Sequence, residues 1–98
     1  MPHIGYEQIS VPGPAVIVAS AVLTIPGNAT SAWVQANGAG DINYTLDGSS
    51  NPGASRGLVL RNTADPLEIL IQDLKNMRFC SSGPATNLNV SYVCGRDI

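Results

Sequence analysis

The sequence predicts an all-β fold, a small antiparallel sandwich of jelly-roll-like form with about seven strands. Three observations predict it. Apolar and polar residues alternate in Ile42-Asn43-Tyr44-Thr45-Leu46 and again in Leu88-Asn89-Val90-Ser91-Tyr92, the period of a strand with one buried face. Clusters of Gly, Asn, Asp, Ser and Pro punctuate the chain at short intervals. No stretch of useful length repeats apolar residues at helical spacing without an interrupting Gly, Pro or Asn.

Residues 1–14 read as an extended arm and residues 15–98 as a single sandwich domain. The arm holds Ile4, Tyr6, Ile9 and Val11 among Pro2, Pro12 and Pro14, too few apolar groups to fold alone. An extended segment stiffened by proline can add its backbone to a neighbour's sheet edge, so these four side chains are the expected partner-binding residues. Strands are then expected near 15–25, 30–37, 41–46, 57–61, 66–72, 76–80 and 86–93. The first is the run Ala15 to Leu23. The second carries Ala32-Trp33-Val34-Gln35-Ala36. The third runs into Asp47-Gly48-Ser49-Ser50-Asn51-Pro52-Gly53, where Asp and Asn can bond their own backbone and Gly tolerates positive φ. The fifth could open a helix with Pro66 in its first turn, but Leu67, Ile69 and Ile71 alternate with Glu68 and Gln72, which predicts a strand. The last two strands are expected to form a hairpin around Ser82-Gly83-Pro84. The predicted core joins Leu67, Ile69 and Ile71 to Ile42, Tyr44 and Leu46, closed by Leu88, Val90 and Tyr92, with Asn87, Asn89 and Ser91 outside.

Composition bounds the function. At 98 residues the chain is one domain, and 44% hydrophobic residues exclude intrinsic disorder. Charged residues make up only 12%, about half of the ~25% usual in soluble domains, and Lys75 is the sole lysine. A surface covered by partner proteins explains such scarcity, because interface cores are depleted in charge. The net charge of -2 and the scattered Arg56, Arg61, Lys75, Arg78 and Arg96 predict no nucleic-acid partner. Ala15 to Leu23 is too short to span a bilayer, and Met1 to Pro14 lacks the cationic residues of a signal peptide. No membrane association is expected.

The chemistry-bearing constellations are few. His3 is the only histidine and lies in the presumed arm, where a mobile segment could not hold a base in place. Gly38-Ala39-Gly40 is too short for a nucleotide-binding loop and leads into a strand. Asp47, Ser49 and Asn51 offer oxygens at alternate positions as a calcium loop does, but Pro52 stands where that loop needs glycine and Leu58 where it needs glutamate. Turn chemistry accounts for the same residues. Trp33 and Tyr44 would make a sugar platform if exposed and are read as core. Cys80 and Cys94 would lie about seven residues apart along the expected hairpin at ~3.3 Å each, beyond the ~7 Å Cα limit of a disulfide. The sequence thus predicts no enzyme, no cofactor and no metal.

The opening apolar strand, Thr30 to Ala36, Ile42 to Pro52 and Gly57-Leu58-Val59-Leu60 occur here in a set order. Pro66-Leu67-Glu68-Ile69, Leu74 to Phe79 and Thr86 to Tyr92 follow. Over Ala15 to Val93 this arrangement resembles small β-sandwich virion proteins of tailed bacteriophages, among them capsid decoration or cement proteins and fibre-like head proteins. The resemblance implies a non-enzymatic structural protein of the virion, assembled in the host cytoplasm. It would bind the major capsid protein or other virion proteins, as a homo-oligomer, typically a trimer. A tail, collar or fibre component is the alternative, as is a carbohydrate-binding adhesion module with Trp33 or Tyr44 exposed. The Cys pair, the Arg96-Asp97-Ile98 tail and the Pro-rich Val11-Pro12-Gly13-Pro14 depart from the pattern.

Overall fold

The computed structural model describes residues 3–13, 16–53, 56–62 and 65–94. Pro14, Ala15 and the Arg96-Asp97-Ile98 tail lie outside them. Among the described residues eight strands form: β1 (His3–Val11), β2 (Val18–Ala19), β3 (Ser31–Gly38), β4 (Ile42–Thr45), β5 (Leu58–Leu60), β6 (Leu67–Leu70), β7 (Arg78–Ser81) and β8 (Thr86–Val93). They build two four-stranded antiparallel sheets, β1-β8-β3-β6 and β2-β7-β4-β5. That order is the double Greek key of an eight-stranded jelly roll, so the all-β expectation holds.

The core forms where small or branched apolar residues share one parity. In β3, Ala32, Val34 and Ala36 point inward, and in β8 so do Leu88, Val90 and Tyr92. From the second sheet Ile42, Tyr44, Leu60 and Phe79 meet them. Ile69 and Ile71 join this core as expected, and Leu46 packs against it half-buried. Leu67 does not, because it lies on the outermost strand of its sheet and is exposed there.

Four expectations need correction. Residues 3–11 are not an arm outside the sandwich. They form edge strand β1, paired with β8 from His3↔Val93 to Val11↔Thr86. Val11 is fully buried, and Ile4 and Ile9 pack half-buried against the core. Of the described residues in the apolar run 15–25 only Val18 and Ala19 are strand, opposite Phe79 and Arg78. A 3-10 turn (Ser20–Val22) follows, closed by the Leu23 amide on the Ser20 carbonyl at 2.9 Å. The predicted strand 66–72 ends at Leu70, and a single helical turn, α1 (Ile71–Leu74), carries the chain from one sheet to the other. Ile71 and Leu74 are three apart and so bury on one side of that turn, a spacing that competes with the period-two reading. Finally, β7 and β8 are no hairpin, since they belong to different sheets.

Cys80 and Cys94 are both free, for a reason other than the one the hairpin supplied: Cys80 lies opposite Asn43 on the outward parity of β7, facing away from the sheet that Cys94 follows just past β8. Cys80 is fully buried, and burial pushes its thiol above the ordinary range. A chromogenic disulfide reagent is expected to titrate Cys94 in the native protein and Cys80 only on unfolding. A Cys80–Cys94 linked peptide recovered from the native protein would contradict this.

Candidate interaction surfaces

The loop after β4 folds back over the outer face of the second sheet. Asp47 organises it: Oδ1 accepts the amides of Ser49 at 3.0 Å and Ser50 at 2.8 Å, and Oδ2 accepts the Ser50 hydroxyl at 2.6 Å. These bonds hold the Asp47 carboxyl down at about 2. Arg78 clamps the loop by donating Nη1 to the Ser49 carbonyl at 2.9 Å and to Asn51 Oδ1 at 2.8 Å. The Asn43 amide donates to the Gly53 carbonyl beneath it. Gly57 ends the loop at φ +108°, where a Cβ would stand 2.8 Å from the Tyr44 carbonyl oxygen, so the return into β5 needs glycine. The carboxylate is thus committed to the turn. A lowered pKa means its contribution is present above the unfolded value and fades as pH falls through about 2. An NMR titration of the Ser49 and Ser50 amides should give that midpoint, and EDTA should leave the melting temperature unchanged. A midpoint near 4, the ordinary value, or a calcium-restored loss of stability would count against the turn role.

One flank of the sandwich is unsealed. β6 and β5 are the outermost strands of their sheets, at the ends away from β1 and β2, each paired on one side only among the described residues. Leu58 and Leu67 have inward parity there, opposite Tyr44 and Val34, yet are 57% and 40% exposed. Val59 and Leu70, on the outward parity, are 50% and 55% exposed. An open groove of about 490 Å³ continues this apolar flank between Tyr44, Leu46, Asp47, Arg56 and Leu58. Exposed aliphatic side chains along strand edges that are open among the described residues are the kind of feature that marks an interaction site. Sequence reasoning missed it by placing Leu67 in the core. The three consecutive apolar residues of Leu58-Val59-Leu60, which no strand with one wet face requires, were the available signal.

Comparison with protein-family models, with curated proteins and with solved structures gives no match. The surfaces therefore rest on their own chemistry.

The second surface is the outer face of the β1-β8-β3-β6 sheet. Pairing aligns Tyr6, Ser91, Trp33 and Glu68 in one cross-strand rank. Gln8, Asn89 and Gln35 form the next, and Ser10, Asn87 and Asn37 the third. Trp33 is half-buried on this face, not in the core as expected, whereas Tyr44 is core. Its parity was readable, since Ala32, Val34 and Ala36 occupy the other one. Tyr6 is 65% exposed. Gln8 Nε2 donates to Asn89 Oδ1 at 2.7 Å, and Ser31 donates its hydroxyl to Glu68 Oε2 at 3.0 Å.

His3 lies at the corner of this face, and its Nδ1 shares a 2.7 Å hydrogen bond with Ser91 Oγ. The strand therefore does hold this base in place, contrary to the expectation for an arm. The pair is exposed, and among the described residues no carboxylate holds the other ring nitrogen. In nucleophilic triads the histidine that activates a serine is oriented by a third group on its other ring nitrogen.

The predicted partner-binding set thus divides. Val11, Ile9 and Ile4 serve the protein's own core, and Tyr6 alone faces outward. Glu7, which the sequence did not single out, accepts the Tyr92 hydroxyl and the Thr24 amide on Oε2, each at 2.8 Å, tying β1 to β8 and to the loop before β3. Among the described residues no helix is long and apolar enough to cross a membrane.

Proposed function

We propose that this protein is a non-enzymatic assembly subunit, a small jelly roll that docks on other virion proteins as a decoration or cement subunit of the head shell. The observation that carries the reading is the unsealed β5–β6 flank, with Leu58, Val59, Leu67 and Leu70 open to solvent. Open edges accept strands from a neighbour through backbone hydrogen bonds, with alternate side chains filling its pockets. A 12% charged fraction supports extensive coverage by partners. The jelly roll serves many functions and adds only compatibility with a capsid role. In this reading the chain associates with copies of itself and with the major capsid protein, is assembled in the host cytoplasm and resides in the virion.

Quantitative mass spectrometry of purified particles tests the placement. A decoration subunit is expected in fixed proportion to the major capsid protein, at many copies per particle. A handful of copies per particle would place it in the tail or collar, and its absence from washed particles would remove it from the virion.

A further inference from the structure

We propose that the outer face of the β1-β8-β3-β6 sheet is a binding platform for a neutral, extended, β-1,4-linked glycan. It uses the outward ranks of β1, β8 and β3 rather than the inward-parity Leu58 and Leu67 of the β5–β6 flank, and stands whether or not that flank assembles a shell.

A pyranose ring presents an apolar C–H face and a rim of hydroxyls that both donate and accept. Recognition therefore wants flat aromatic groups flanked by side chains of equally mixed hydrogen-bonding character. This face supplies both. Tyr6 and Trp33 stand in one rank with a single strand between them. Two inter-strand steps separate them by about 9–10 Å, close to the length of two sugar rings in an extended β-linked chain. A glycan laid across the strands would meet one aromatic side chain at every second ring. The next rank, Gln8, Asn89 and Gln35, runs parallel to that track, and an amide both donates and accepts. The Gln8–Asn89 bond orients two of these amides before any ligand arrives.

Charge selects the ligand. The three ranks carry no Lys or Arg, and their one carboxylate, Glu68, already accepts the Ser31 hydroxyl. A neutral polar ligand complements such a face. A single-stranded nucleic acid, which also stacks on aromatics, needs a cationic track that is absent from these ranks.

Trp33 is the only tryptophan of the chain, so its fluorescence reports the face directly. The intact protein is titrated with cellotetraose and with chitotetraose, and with maltotetraose as the α-linked counterpart. A saturable change is expected with at least one β-linked probe and none with maltotetraose. Tyr6→Ala, at an exposed site that folding does not need, should weaken the binding about tenfold, while Leu58→Ser on the other flank leaves it unchanged. No saturable signal with either β-linked probe would overturn the proposal, as would an equal response to maltotetraose or unaltered affinity in Tyr6→Ala. If the face instead pairs with a second copy, association that Tyr6→Ala abolishes and no sugar competes would overturn it too.

Discussion

Deleting residues 3–11 is expected to leave a chain without a cooperative unfolding transition. β1 lies alongside the whole of β8, so its removal opens the backbone of a central strand. It also removes Val11, fully buried, and the partial burial of Ile4 and Ile9. A fully buried aliphatic side chain contributes roughly 1.5–3 kcal/mol, and each ladder hydrogen bond about 0.5–1.5 kcal/mol net. Summed over the strand, that rivals the whole ~5–15 kcal/mol stability of a domain. Losing Glu7 further leaves the Tyr92 hydroxyl without its acceptor. Thermal circular dichroism and dye binding check this. The truncated chain should melt without a sharp midpoint and expose apolar surface. A sharp transition within a few degrees of the intact protein would show that the segment is an appendage.

Phe79→Ala is expected to be the most damaging single truncation. Phe79 is fully buried on β7, paired with Tyr44 on one side and Val18 on the other, at the middle of its sheet. Truncating a buried Phe costs about 3–5 kcal/mol. At roughly 4–8 °C per kcal/mol for a domain of this size, the melting temperature should fall by at least about 12 °C. Val59→Ser, on the exposed flank, should change folding stability by no more than about 0.5 kcal/mol. Equal losses from the two would mean that the core is not where the burial pattern puts it.

The strands whose side chains alternate without interruption were the ones the sequence disclosed. β8 and β4 are cases, and their inward residues are those expected. β1 hid because its apolar residues occupy both parities: Ile4 and Tyr6 on one, Ile9 and Val11 on the other. The register shift between His3 and Gly5 resolves the conflict, since a bulge lets Ile4 reach the core while Tyr6 points out. Glu7 added to the disguise, being a carboxylate at an inward position that is satisfied by Tyr92 and Thr24.

Pairing was harder to read than strand content. Of the consecutive strands only β4 and β5 pair with each other. Neighbouring strands pair more often than not in proteins, which favoured the β7–β8 hairpin, but a jelly roll sends successive strands to opposite sheets. The same topology decides the surfaces. Whether Leu67 is core or flank depends on β6 being the outermost strand, which no local pattern reveals. The outward ranks of amides and aromatics likewise exist only once β1, β8 and β3 lie side by side.

The claim that the β5–β6 flank is a contact surface is tested most directly by sedimentation equilibrium of the intact protein and of a Val59→Glu, Leu70→Glu variant. Both positions are exposed and outward, so the variant should fold with the parent's circular dichroism spectrum and melting temperature. Intact protein is expected to associate reversibly as its concentration rises, and the variant to remain a monomer, because a buried unpaired carboxylate opposes the contact. Parent and variant sedimenting alike, both monomeric or both associated, would contradict the assignment of this flank.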